Sequence, residues 1–194
     1  MKANKQTLKN ISDEYKVLAV SGKMASGKNF ICSKMQELGW ASIDADILVH
    51  DAIDLAADQI LQAFGNIAKE KNINLVTTEN KIDRRALGSI LFENKALLAK
   101  QESIVYPIIT EKIKAFIQEN PKAIINATVL YKTPELLNCC QAVLYVKAPF
   151  IKRLCRAKKR DNLSIKQILK RFKSQKKLFV EYKNTGAKII VICN

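Results

Sequence analysis

The sequence predicts an α/β protein: a five-stranded parallel sheet with helices on both faces. Three observations carry this. Five short apolar runs stand at Val17–Val20, Trp40–Ile43, Ala123–Ala127, Ala142–Val146 and Lys188–Ile192. Stretches with helical spacing of apolar residues separate them, as a doubly covered parallel sheet requires. The first run is followed by Gly22-Lys23-Met24-Ala25-Ser26-Gly27-Lys28-Asn29 and then by the helical pattern Phe30–Leu38.

Strand, glycine loop and helix are the context of a G-x-x-x-x-G-K phosphate loop. Gly22 and Gly27 let the backbone turn and approach a ligand closely. Loop amides and the helix N-terminus then face a phosphate, and Lys28 adds a full charge near the β- and γ-phosphates. Asn29 stands where a Ser or Thr hydroxyl normally meets Mg²⁺. Its amide oxygen is a hard donor and is the candidate metal ligand.

Residues 1–15 are polar, and they are expected to fray. Gly39 is a plausible helix end. The second strand runs into Asp44-Ala45-Asp46, and two-residue periodicity puts both carboxylates on one face. Ligands of open α/β sheets sit at the carboxyl ends of strands. Two carboxylates there suit acceptance of a hydroxyl proton or support of a metal's water shell; a solvated acidic turn is the plain alternative. Ile47–Phe64 reads as helix. His50, one turn beyond Asp46, is a lone histidine and by itself reads as structural. Gly65 and Asn66 mark a turn, and 65–82 reads as a surface loop. Asp83 fits the N-cap of a helix that buries Leu87, Ile90 and Leu91. Arg84 and Arg85 suit a substrate phosphate and equally suit solvent. Helical spacing continues to Glu102, and Pro107 is expected to break or kink it before a further helix over Ile108–Gln118.

The chain has 194 residues, 48% of them hydrophobic, and a formal charge of +15. That length suits one compact domain with a lid or subdomain, and the charge calls for anionic partners. Its five cysteines form no C-x-x-C pair and its single His is too few for a His cluster, which suits a reducing compartment. No signal-like apolar stretch and no run approaching the ~18 residues of a membrane span is present. A cytoplasmic protein without membrane contact is the expectation.

Between Lys147 and Lys177 stand thirteen Lys and Arg and one acid, Asp161, so this segment carries +12 of the +15. Arg156 and Arg160, four apart, share a helix face. Turned toward the phosphate loop they would form a lid that screens charge during phosphoryl transfer. A solvated face, or a surface for nucleic acid or acidic membrane, are the competing readings. Only Phe150 and Phe172 interleave, which weakens single-strand stacking.

Taken in order, these stretches resemble the dephospho-CoA kinase family over about Lys16 to Asn194. The resemblance rests on Ser26-Gly27-Lys28, on Ile43-Asp44-Ala45-Asp46 with His50, and on Asp83-Arg84 with Leu87 and Phe92. Ala148-Pro149 with Arg156 and Arg160-Asp161, then Gln175, complete it. It implies a P-loop NTPase fold in a single domain. Residues 16–46, 122–148 and 178–194 would be core, 47–121 a helical acceptor-binding region, and 149–177 a basic lid. It implies ATP with Mg²⁺ as donor and the ribose 3′-hydroxyl of dephospho-CoA as acceptor. Lys28, Asp46 and Arg156 would be catalytic, with Asp46 the base. Residues Gly22 to Phe30, Arg156 and Arg160 would hold the nucleotide. Asp44, Asp46, His50, Arg84 and Tyr106 would meet the acceptor.

Several positions depart from the family pattern. Asn29 is one. Tyr106-Pro107 stands for His-Pro, Ala127-Thr128-Val129-Leu130-Tyr131 stands for Pro-Leu-Leu-Phe-Glu, and no final helix follows Asn194. Nucleic acid is not the expected partner, and a monomer or small homo-oligomer is. Two alternatives stay open: another nucleoside or nucleotide kinase, and a catalytically weak, basic nucleotide- or nucleic-acid-binding relative.

Overall fold

The computed structural model describes residues 1–91, 94–161 and 163–194; Phe92, part of the resemblance above, lies outside them. Five parallel strands form one sheet: β1 (Val17–Ser21), β2 (Ala41–Asp44), β3 (Ala123–Asn126), β4 (Ala142–Lys147) and β5 (Ile189–Cys193). The order is β2-β3-β1-β4-β5, with Val20 level with Asn126 on one side and Leu144 on the other. All four residues of β3 are buried, as are Leu18 to Ser21 of β1 and Ala142 to Val146 of β4. Burial on both faces explains why these strands read as unbroken apolar runs rather than as alternation. The five runs expected from sequence are the five strands, within a residue or two at each end.

The chain divides into two compact units, Met1–Asp44 with Ile113–Asn194, and Ala45–Lys112. The first contains the sheet. Its helix α1 (Lys5–Glu14) replaces the expected frayed leader. Asn4 caps it by accepting from the Thr7 amide at 2.8 Å. Leu8, Ile11 and Tyr15 enter the core beside α2 (Lys28–Gln36), and Trp40 Nε1 donates to the buried Ser12 hydroxyl at 2.9 Å. A two-residue stripe on a polar helix is weak in sequence; packing, not propensity, makes this helix. Gly39, at φ 85°, ends the α2 turn as expected.

The second unit holds α3 (Ala45–Leu55), α4 (Ala57–Glu70), α5 (Arg84–Leu91) and the first part of α6 (Lys95–Glu119). The single helix expected over 47–64 is two, divided at Ala56. The expected turn at Gly65–Asn66 is absent: α4 runs through it because Phe64 and Ala68 continue its buried stripe. Beyond Glu70 the chain does loop, but Leu75 and Ile82 are buried and Val76 bridges Ile82. Asp83 caps α5, accepting from the amides of Arg85 and Ala86. Pro107 does not end a helix: α6 is continuous through it, with Val105, Ile109 and Ile113 buried.

After β3 come a 3₁₀ turn (Leu130–Lys132) and α7 (Pro134–Asn138). The basic segment forms α8 (Phe150–Arg160) and α9 (Ile165–Ser174), the latter opened by a Ser164–Gln167 capping box, and α10 (Leu178–Asn184) precedes β5. Ala157, Ile168 and Phe172 pack with Met24 of the glycine loop, so the two basic helices are anchored to that loop. Among the described residues no helix is long and apolar enough to cross a membrane.

Candidate active site

Buried β1 ends at Ser21, and the chain must turn sharply to start α2. Gly22 permits this: a Cβ there would collide with the Val146 carbonyl oxygen of β4. Gly27 caps α2 in the left-handed region at φ 98°, and a Cβ there would strike the Asn194 side chain. The turn is tightened by the Ser26 amide donating to the Lys23 carbonyl at 3.0 Å. The four leading amides of any helix lack intrahelical acceptors, so α2 opens toward the loop as an anion cradle.

The loop's carbonyls are gripped from outside. Arg153 Nε donates to the Met24 carbonyl at 2.9 Å. Arg156 Nη1 and Asn194 Nδ2 donate to the Ser26 carbonyl at 3.2 and 3.1 Å. The Met24 amide donates to Gln175 Oε1 at 2.6 Å. Fixing these groups fixes the loop before any ligand arrives, which lowers the ordering cost of binding. Lys28 Nζ donates to the Gly22 carbonyl at 3.2 Å and the Thr128 hydroxyl at 3.1 Å. The ammonium therefore lies over the loop it belongs to.

A cavity of about 430 Å³ opens here, lined by Ala25 to Asn29 with Arg156, Lys159 and Arg160. Among these eight residues are four cations and no acid. Arg156 and Arg160 both reach the cavity, but they are held differently. Arg156 bonds the loop; Arg160 is paired in a two-pronged contact with Asp161 at 2.9 and 3.1 Å. That pair raises the Arg160 pKa and lowers that of Asp161, in each case mainly through the shared hydrogen bonds.

At the sheet's carboxyl end, Asn126 Nδ2 donates to Asn29 Oδ1 at 3.1 Å and to Asp44 Oδ2 at 2.9 Å. Asn126 is 5% exposed, and its own Oδ1 is buried with no partner. Three oxygen-bearing side chains thus meet beside the phosphate loop. The Asn29 amide oxygen and the Asp44 carboxylate, brought together by Asn126 Nδ2, are hard oxygen donors that fit a magnesium ion.

The expected pairing of Asp44 with Asp46 on a strand face does not occur. β2 stops at Asp44 and α3 begins at Ala45, so Asp46 occupies the first helical turn, where a carboxylate suits the helix dipole. Within the second unit, Asp46 and His50 are exposed and four apart on α3, hence on one face. Arg84 is exposed and pairs with Asp54 at 3.6 Å, and Tyr106 is half-buried on α6. Of the remaining predicted residues, Lys23, Met24, Ala25 and Ser26 form the loop between β1 and α2, and Phe30 lies in the first turn of α2. Phe30 is half-exposed on α2 with Lys34 near its ring.

Five residues at the site were not singled out from sequence: Asn126, Thr128, Arg153, Lys159 and Asn194. A lone Asn closing an apolar run was a signal for the first. For Arg153 the signal was its spacing of four from Ala157, the buried stripe of α8.

A family model described as dephospho-CoA kinase matches residues 16–194. The dephospho-CoA kinase of Treponema denticola is 39% identical over 184 residues, covering 92% of this chain and 82% of that one. That of Treponema pallidum is 32% identical over 183 residues, covering 92% and 86%. Among solved structures, TT1252 from Thermus thermophilus superposes with a TM-score of 0.75 at 22% identity, covering 93% and 88%, and shares the fold. Dephospho-CoA kinase from Campylobacter jejuni superposes at 0.59 with 27% identity, covering 92% and 88%. The chain belongs to the dephospho-CoA kinase family, and is thereby a nucleotide-using phosphotransferase.

Proposed function

We propose that this chain transfers the γ-phosphoryl group of ATP to the ribose 3′-hydroxyl of dephospho-CoA, giving coenzyme A and ADP. The observation that carries the reading is the cavity of four cations and no acid built on the glycine loop. The loop amides and Lys28 bind the β- and γ-phosphates; Arg156, already bonded to the loop, stabilises the charge spread over the transferred group. Arg160 lines the same cavity and, once released by Asp161, adds a second guanidinium. Asp46 takes the proton of the acceptor hydroxyl, and Asp44, His50, Arg84 and Tyr106 hold the acceptor. In this reading 47–121 is the helical acceptor-binding region and 149–177 the basic lid of one kinase domain. Asn29 and Asp44, positioned by Asn126, would hold Mg²⁺, which would supply charge neutralisation on the phosphates. The site of action is the cytoplasm, the partners are ATP and dephospho-CoA, and the chain works alone or as a small homo-oligomer.

The test is ADP release measured against a panel of acceptors with MgATP. Dephospho-CoA should be preferred over nucleosides and nucleoside monophosphates. A faster nucleoside substrate would replace this reading with that of another small-molecule kinase.

A further inference from the structure

On the other side of the glycine loop lies a second cavity, of about 390 Å³, lined by Lys23, Ser26, Tyr145, Lys147, Arg153 and Lys176 with the apolar wall Val146, Ala148, Phe179 and Val180. Its volume is in the range of small-ligand sites. Only Lys23 and Ser26 belong to the glycine loop, and of these only Ser26 also lines the nucleotide cavity. Three of the lining residues each carry a buried polar atom with no partner: Ser26 Oγ, Tyr145 Oη and Arg153 Nη2. Their residues are 1%, 1% and 7% exposed. Two hydroxyls and a guanidinium nitrogen are all donors. Buried donors are almost always paired in folded proteins. Three further cations, Lys23, Lys147 and Lys176, line the cavity with them, and no carboxylate does.

We propose that this cavity is a second anion site, which takes the phosphoryl group of a phosphorylated small metabolite on Ser26, Tyr145 and Arg153. Lys23, Lys147 and Lys176 complete the charge, and Phe179 and Val180 face the ligand's apolar part. The three oxygens of a phosphoryl group offer an acceptor to each of these unpaired groups. Burial keeps the Tyr145 phenol protonated up to about pH 12, so it donates at neutral pH. Lys23 is held below the usual lysine range by burial and then by Arg153, Lys147 and Lys176, a crowding of charge that an anion relieves. The site goes beyond the kinase reaction and does not depend on the acceptor assigned above.

Inorganic phosphate is the probe. The wild-type chain is first saturated with Mg²⁺ and a non-hydrolysable ATP analogue, which fills the glycine loop; phosphate is then titrated in by calorimetry. One further equivalent of phosphate should bind. The exposed variant Lys147→Ala should weaken phosphate several-fold, the change expected for one lost charged contact, while the analogue's affinity stays unchanged. Tyr145→Phe keeps the ring against Phe179 and removes only the hydroxyl; it should also weaken phosphate. Absence of binding once the loop is filled overturns the proposal. So does a Tyr145→Phe variant that binds phosphate as the wild type does, since loose attraction to surface lysines would not need a buried hydroxyl.

Discussion

Replacing Asn126 with leucine tests the junction between the phosphate loop and the second strand. The shape is nearly kept, but Nδ2 is lost, and with it the bonds of 3.1 Å to Asn29 and 2.9 Å to Asp44. A neutral hydrogen bond contributes about 0.5–1.5 kcal/mol and one to a carboxylate about 1.5–3 kcal/mol. The pair is therefore worth roughly 2–4.5 kcal/mol. To the extent that it holds the fold, Tm falls by about 2–4 °C per kcal/mol for a chain of this size. To the extent that it holds the site, kcat/KM falls tenfold per 1.36 kcal/mol, about 30-fold at the lower bound and about 2000-fold at the upper. Thermal melts and ADP release with dephospho-CoA read the two parts separately. An Asn126→Leu enzyme with both Tm and kcat/KM unchanged would refute the idea that this amide positions Asn29 and Asp44.

Three further outcomes are expected. Lys28→Met removes the ammonium over the loop; kcat should drop by about 10²–10³-fold, as for loss of one preorganised donor, with the melting curve little moved, and a variant retaining full kcat would remove Lys28 from the reaction. Gly27→Ala forces a side chain into the left-handed region and against Asn194; strain of about 1–2 kcal/mol should weaken nucleotide binding about 5- to 30-fold by calorimetry, and unaltered affinity would mean the loop deforms freely. Burial pushes the Cys140 thiol and the Tyr145 and Tyr182 phenols up to about 12, and Cys32 up to about 11, from ordinary values of 9.0 for thiols and 10.0 for phenols. The folded state thus holds these protons more tightly, so its advantage is whole below about pH 9 and is lost as pH rises toward 12; Tm should be level from pH 7 to about 8.5 and clearly lower at about 10.5, and a level Tm across that range would contradict the burial of these groups.

Strands and glycine loop were legible in the sequence because each rests on a local rule: two-sided burial makes strands continuous apolar runs, and a strand-to-helix turn over phosphate needs glycine. Asp83 was readable as a cap for the same reason. What stayed hidden depends on tertiary packing. Helix α1 exists because Leu8 and Ile11 find a core, and α4 passes Gly65 because Phe64 and Ala68 stay buried. Pro107 sits inside α6 with neighbours that hold the helix on both sides. Within the site, Asp44 was legible as a strand-end carboxylate, but the helix that starts at Ala45 turns Asp46 out of the strand's periodicity. Arg153 was hidden among thirteen like charges; its burial separates it from the solvated ones.

The central claim is that phosphate held by the loop amides, Lys28 and Arg156 is delivered to one particular hydroxyl. Incubating the chain with MgATP and dephospho-CoA and locating the new phosphate by ³¹P NMR tests it most directly. The account predicts a phosphomonoester on the ribose 3′-oxygen and one ADP per product formed. ATP consumed with only inorganic phosphate appearing, or a phosphate on any other atom, would contradict it.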